Sequence, residues 1–387
     1  MKTKKIFNGF ISSLIVLILI ALIFLPNKNK IQVNAVFENS IKNKSCVLIE
    51  KSTGTILFDN QSNEHFPIAS VTKLMTVLLT LENLESGKIN LNDKILVSEN
   101  ASGMGGSQIF LDANCEYEIG NLLKSVIVCS ANDSSVALAE HIAGSEKNFV
   151  KLMNEKVAEL GLTNTNYSNC TGLPTADGYS SAYDQAIILK QVLSYDLYHE
   201  YSSIWLEDFC HPSGRITQMT NTNKLSRYYD GCIGGKTGST NQAKYCLAVG
   251  AKRNNTELIA VVLGAETSQE RFKLASDLLN YGFSNFESTT IFSSKDLENI
   301  TLSIKGSNEV VNLKAEKDYS VISKIGENVN FSLNYHLPQS LTEVKENQVV
   351  GNVEIVVNGI VVDTINILSC STIDETTVWE YFKSLIA

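Results

Sequence analysis

Proline is scarce, with 5 in 387 residues, and together with only 23 glycines this excludes collagen-like and linker-dominated architectures. Charged residues are few as well, 19% against 44% hydrophobic, which excludes a disordered chain and a coiled coil. No excess of positive charge is present. Lys and Arg total 32 against 41 Asp and Glu, a formal net charge of −9. Phosphate neutralisation needs clustered cations, so nucleic acid is excluded as the main partner. The histidines His65, His141, His199, His211 and His336 lack metal spacings such as H-E-x-x-H, and no metal or cofactor is expected. His141 falls on an apolar helical stretch and reads as a core histidine. There is no G-x-S-x-G elbow, no internal repeat and no low-complexity tract. No C-x-x-C occurs among Cys46, Cys115, Cys129, Cys170, Cys210, Cys232, Cys246 and Cys370. The spacing leaves some disulfides and eight buried thiols equally open.

The amino terminus is where the sequence declares its destination. Lys2, Lys4 and Lys5 precede an uncharged apolar run from Phe10 to Leu25, which Pro26 ends. The run falls short of the roughly 20 residues that span a bilayer. Val33-Asn34-Ala35 offers a small-residue cleavage site. Residues 1–35 therefore read as a signal peptide or an amino-terminal membrane anchor, and in either case the remainder is exported. The expected location is the outer face of a bacterial membrane, or the cell wall.

The exported part divides near residue 286. Before it, strands and helices mix. Val47–Lys51 and Thr55–Asp59 predict a hairpin around Ser52-Thr53-Gly54. A long apolar helix is expected from Ser70 to Glu85, and two more, Asn121–Cys129 and Ser134–Ala143, flank a polar elbow. Phe149–Leu160 predicts another helix with Gly161 at its end. Tyr245–Lys252 and Glu257–Gly264 predict a second hairpin, followed by a helix over Gln269–Tyr281. Beyond Phe286, period-two patterns take over at Ile300–Ile304, Val329–Leu333 and Val353–Val362, the last with an Asn358-Gly359 turn signal. The division is thus 36–286 for a mixed domain, 287–372 for a small β domain and 373–387 for a tail. In the tail, Val378, Trp379, Phe382, Leu385 and Ile386 share one helical face. That face suits either packing on the β domain or lying in a membrane interface.

Three short segments carry candidate chemistry. Ser70-Val71-Thr72-Lys73 is the only S-x-x-K in the chain and opens its most apolar helix. A spacing of three puts the hydroxyl and the amine on one face. A serine hydroxyl needs a nearby base, and burial would depress a lysine pKa enough to make it that base. The ordinary alternative is a serine N-cap beside a lysine that extends to solvent. Ser130-Ala131-Asn132 lies in the polar elbow, where a hydroxyl and an amide can face a cleft held by two helices. S-x-N also occurs at Ser98, Ser239 and Ser332, so placement rather than pattern selects Ser130. Gly234-Gly235-Lys236-Thr237-Gly238-Ser239-Thr240 precedes a strand. Its glycines would let an edge backbone approach a ligand, while Lys236 and Thr237 suit a carboxylate. It is not a phosphate loop, because G-x-x-x-x-G-K-[ST] is not met.

In this order, S-x-x-K, S-x-N and K-T-G resemble the active-site signature of penicillin-recognising serine enzymes. The resemblance extends to Gly105-Gly106-Ser107-Gln108-Ile109-Phe110-Leu111, Ala137–Gly144 and Leu258–Gly264. It points to low-molecular-mass penicillin-binding proteins, and more narrowly to serine-type D-alanyl-D-alanine carboxypeptidases, over residues 40–285. The resemblance implies an α/β (α+β) fold, a β-lactamase/transpeptidase-like antiparallel sheet with covering helices and a helical lobe, followed by a small all-β domain. It implies peptidoglycan stem pentapeptides ending in D-Ala-D-Ala as substrate and β-lactams as inhibitors. It further implies Ser70 as nucleophile, Lys73 as general base and Ser130 as proton relay. Asn132, Lys236, Thr237, Gly238 and Ser239 would bind the substrate, with the amides of Ser70 and Ser239 as oxyanion hole.

Two positions depart from the family pattern. Ser239 stands where an aromatic residue or histidine is frequent, and Gly178 where histidine is expected. The alternatives are a β-lactamase, or a D,D-endopeptidase or transpeptidase of the same family. A class A-type β-lactamase would add E-x-x-x-N between the second and third motifs, and none of Glu140, Glu146, Glu155, Glu159, Glu200 and Glu207 has asparagine four residues on.

Overall fold

The computed structural model describes residues 41–375, and those from Asn43 onward form one compact unit. The expected signal or anchor at 1–35 and the apolar face of the tail lie outside the described residues. A five-stranded antiparallel sheet is built from β1 (Ser45–Glu50), β2 (Ile56–Asn60), β3 (Cys232–Thr240), β4 (Lys244–Arg253) and β5 (Thr256–Ala265). Its strand order is β2-β1-β5-β4-β3. Every residue of β1 is buried, as are nearly all of β5. Both strands are covered on two faces, which explains their continuous apolar runs in place of alternation. The register sets Leu48 against Phe58 on one side and Ala260 on the other. β3, the K-T-G strand, pairs with β4 alone and forms an edge, with Lys236 opposite Ala248.

The expected hairpins appear within a residue or two. The helix starts are more informative. Ala69–Thr72 forms a 3₁₀ turn, and the α-helix α1 begins only at Lys73, running to Glu85. The expectation that Ser70 lies in the helix is corrected by Ala69, whose φ of 47° breaks helical geometry just before it. From Lys73 to Leu81 every residue of α1 is buried, each large apolar side chain contributing about 1.5–3 kcal/mol. α2 (Ile119–Val128) and α3 (Asn132–Ala143) flank the elbow. Asn132 is therefore the first helical residue rather than part of the loop, and its amide nitrogen bonds Ser107 O at 2.7 Å. His141 is exposed in the last turn of α3, not a core histidine. It stands past the apolar stripe of Val136 to Ala139, where a basic side chain suits the C-terminal end of the helix dipole. α4 (Glu146–Glu159) is capped by the Ser145 hydroxyl and followed by Gly161 at φ 68°. α5 (Ala182–Val192) and the long α6 (Ser268–Asn285) cover the sheet.

Past Asn285 the described residues are almost all β, with one short 3₁₀ turn at Ser294–Leu297. Phe286–Phe292 pairs with Tyr319–Lys324, and a six-stranded sheet carries Val349–Val357 and Ile360–Ser369 as its second and third strands. The turn between these two strands is Asn358-Gly359, both residues at positive φ (51° and 79°), as a type I′ hairpin requires. The strand expected over Val329–Leu333 runs instead from Phe331 to His336. It is an edge strand, largely exposed, so no buried face pins its register. All eight cysteines are unpaired thiols, and Cys210 and Cys370 are exposed. The open choice between disulfides and buried thiols thus resolves to thiols, though not to eight buried ones.

Candidate active site

Ser70 is half-buried in the 3₁₀ turn, and its hydroxyl lies 3.0 Å from Lys73 Nζ. On a 3₁₀ turn, residues three apart eclipse one another, so the pair is brought closer to overlay than a full α-helix would allow. Ala69 holds φ 47°, a left-handed conformation costing about 1–2 kcal/mol in a residue with Cβ. Such strain persists where the surroundings over-determine it. Here the Lys73 amine also donates to Thr171 O at 2.6 Å. Lys73 has no exposed surface, and burial lowers its pKa from 10.5 to about 7; Cys170, Cys129 and Asp133 oppose that shift. At neutral pH the amine is thus close to half unprotonated.

Ser130 occupies the elbow between α2 and α3 with φ 66°. Lys236, buried on β3, donates to Ser130 Oγ at 2.7 Å and to Thr237 O at 3.0 Å. Burial is the largest cause of the strong lowering of the Lys236 pKa, with the neighbouring Lys73 charge adding to it. Asn132 is 3% exposed. Its Nδ2 donates to Gly105 O at 2.6 Å, while Oδ1 is buried with no protein partner among the described residues. An acceptor left open inside a cleft is costly unless a ligand uses it. Thr237 is buried and Ser239 exposed beside it. Between them, Gly238 lies against the Ser70 turn. A Cβ there would sit 2.5 Å from Ile68 O and 3.0 Å from Ser70 N, so only glycine lets β3 approach Ser70 this closely.

The structure brings Ser70 and Lys73 together, holds Ser130 on Lys236 and packs Gly238 against the Ser70 backbone, while Thr237 and Ser239 flank Gly238 on β3 and Asn132 opens α3 two residues after Ser130. Lys236, Thr237, Gly238 and Ser239 all lie in β3, and the strand expected after the segment is β4. Sequence reasoning missed Arg271, 7% exposed on α6. It donates to Gly238 O at 2.9 Å and Cys246 O at 3.3 Å, bracing β3 from behind. Its signal was present: Arg271 shares the apolar stripe of Leu274, Ala275, Leu278 and Leu279, where an arginine is out of place. Asp133 was missed too. Its buried carboxylate accepts from Leu111 N at 3.0 Å and Ile109 N at 3.2 Å, tying down the strap that reaches Asn132. Burial raises its pKa despite those amides. At the histidine departure, Tyr179 next to Gly178 stacks on His65, with ring centroids 4.1 Å apart. An imidazole thus stands close to that position from a different segment. Among the described residues no group of His, Cys, Asp and Glu is placed to hold a metal.

Comparison with known proteins bears directly on this cleft. Residues 32–267 match the D-alanyl-D-alanine carboxypeptidase family, and residues 286–375 match the penicillin-binding protein 5 C-terminal domain. The chain is 42% identical over 287 residues to D-alanyl-D-alanine carboxypeptidase DacF of Bacillus subtilis, covering 74% of each. It is 31% identical to D-alanyl-D-alanine carboxypeptidase DacC of Escherichia coli, covering 88% of each. Among solved structures it is similar to penicillin-binding protein 5 from Haemophilus influenzae. The TM-score is 0.67 at 31% identity, covering 86% of this chain and 97% of that one.

Proposed function

This chain belongs to the D-alanyl-D-alanine carboxypeptidase family, and from that premise we propose how its residues divide the work. It is a serine peptidase that acts on peptidoglycan peptides ending in D-Ala-D-Ala. Ser70 Oγ attacks the carbonyl carbon of that last peptide bond while the neutral Lys73 amine takes the hydroxyl proton. The backbone amides of Ser70 and Ser239 stabilise the oxyanion. Ser130, held by Lys236, passes a proton to the departing nitrogen, and D-alanine leaves. Lys236 and Thr237 grip the substrate's terminal carboxylate, Gly238 allows the close approach, and Asn132 Oδ1 accepts from a substrate amide. Water then attacks the acyl-enzyme and Ser70 recovers its proton. A β-lactam acylates the same hydroxyl.

The observation that carries this reading is the 3.0 Å approach of Ser70 to a fully buried lysine whose pKa falls to about 7. The incubation that tests it uses a synthetic pentapeptide ending in D-Ala-D-Ala, with native protein and S70A in parallel. Released D-alanine from the native form and none from S70A is the expected outcome. Equal release from both would overturn the assignment of Ser70, and rapid turnover of penicillin would favour the β-lactamase alternative.

We further propose that residues 1–35 direct export, that 36–286 and 287–372 act as catalytic and accessory domains, and that the enzyme works on the outer side of the membrane. Fractionation of cells expressing the full chain checks this, since recovery in the cytoplasm would contradict it. Whether the tail from 373 engages membrane is tested by truncation at 375 followed by the same fractionation. Release from the membrane on truncation is expected of an interfacial anchor.

A further inference from the structure

The mechanism leaves one contact of Lys73 unexplained, the 2.6 Å bond to Thr171 O. Thr171 belongs to a tight turn, residues 169–173, in which almost every polar group has a named partner. The Asn169 side-chain carbonyl accepts from Gly172 N at 2.6 Å, Thr171 N at 3.1 Å and Thr171 Oγ1 at 3.2 Å. Its Nδ2 donates to Leu173 O at 2.9 Å. One asparagine therefore closes the turn on itself, the local side-chain-to-backbone pattern in which Asn excels. The outside of the turn is fixed separately. Cys170 N donates to Glu146 Oε1 at 3.1 Å, and Thr76 Oγ1 on α1 donates to Cys170 O at 2.8 Å. Gly172, at φ 78°, presses against the nucleophile's own backbone, where a Cβ would fall 1.9 Å from Ala69 O.

We propose that Asn169 is a positioning residue for acylation, folding the 169–173 turn so that the Thr171 carbonyl orients the Lys73 amine toward Ser70. A neutral amine has two N–H bonds and one lone pair. A carbonyl can only accept, so the Thr171 contact consumes one N–H and limits rotation about the terminal bond. The lone pair is then presented to the Ser70 hydroxyl, as proton abstraction requires. Without the turn, the amine keeps its burial but loses that constraint. The groups facing Lys73 are Cys170 from the turn itself, Cys129 and Asp133 from the elbow and α3, and Lys236 from β3. N169A alters none of these charges.

The inference rests on the Ser70–Lys73 reading, so S70A is run beside every variant. Acylation by a fluorescent penicillin is measured with the full chain across pH 5–9, separating the acylation rate constant from the initial binding constant. For N169A we expect the plateau rate to fall about 10- to 100-fold, the scale of a misplaced reacting group, with binding unchanged. The acid limb should also move to lower pH, because the ammonium loses a carbonyl partner that favoured it. N169D keeps the acceptor oxygen that gathers the turn's donors but loses the Nδ2 donation to Leu173 O and adds a charge, so its plateau should lie between those of N169A and the native protein. Should N169A not fold, N169S takes its place, since its shorter hydroxyl cannot gather all three donors of the turn and its plateau should fall as well. A native plateau in N169A or N169S overturns the proposal. So does equal impairment of N169A and N169D with an unmoved limb, which would mark a purely structural asparagine. Labelling of S70A would instead sink the underlying assignment of Ser70.

Discussion

Residues 45–285 bury Glu50, Lys73, Asp133, Asp184, His211, Lys236 and Arg271 among their apolar side chains, whereas 286–375 bury Phe292, Val311, Val353, Ile355, Ile365 and Ile367 with no charged residue among them. The first region accepts a cost that the second avoids. Taking a charged group out of water is expensive unless it is paired or neutralised. Neither Lys73 nor Lys236 has a carboxylate within ion-pair distance among the described residues. Burial lowers the pKa of both instead. The β region follows the ordinary rule that interiors are apolar, and its exposed residues include Phe331, Ile360, Val361 and Val362. Stability and chemistry are thus separable here by where buried charge sits.

The sharpest way to break that comparison is at the base. K73A should lower acylation by about 10²–10⁴-fold, the usual contribution of a positioned general base, as read by penicillin labelling kinetics. A loss under tenfold would contradict the role. On the other side, I355A in the β core should cost about 2–5 kcal/mol of that region's stability. D-alanine release by the folded enzyme should stay native, and calorimetry with a parallel activity assay measures both. Smaller is the pH effect. Below about pH 7 Lys73 takes a proton, so acylation should decline by about tenfold per pH unit, and a flat profile down to pH 5 would refute it. The same shift has a stability sign. Between about 7 and the ordinary 10.5 the unfolded chain holds a proton the folded chain lacks, so stability rises with pH across that window. Least affected should be K317A, which removes the exposed 2.8 Å pair with Asp363. Its cost should be about 0–1 kcal/mol by urea melts, with activity untouched.

How much of this was legible in the sequence depends on the kind of signal. The sheet hairpins and the helices flanking Ser130 were readable because burial imposes period and length, and Asn358-Gly359 because its turn demands positive φ. Ser70, Lys73, Ser130, Asn132, Lys236 and Thr237 were readable because three local motifs occur in one order. What local pattern could not carry was contact between distant segments. Nothing in Asn169-Cys170-Thr171-Gly172 announces that its carbonyl will reach a lysine 98 residues earlier. Nor does any motif reveal that Arg271 braces Gly238. The left-handed Ala69 delayed the start of α1 until after Ser70, against its apolar pattern, because tertiary packing by Gly172 and Gly238 overrides propensity there. His141 was misread because an apolar stretch says where a stripe runs and not where it ends.

The most direct test of the account is to find the atom that becomes acylated. Native protein is incubated with penicillin, digested, and the adduct located by tandem mass spectrometry, with K73A treated identically. The account predicts a single adduct on Ser70 in the native protein and little or none in K73A over the same interval. An adduct on any other residue, or equal labelling of K73A, would contradict it.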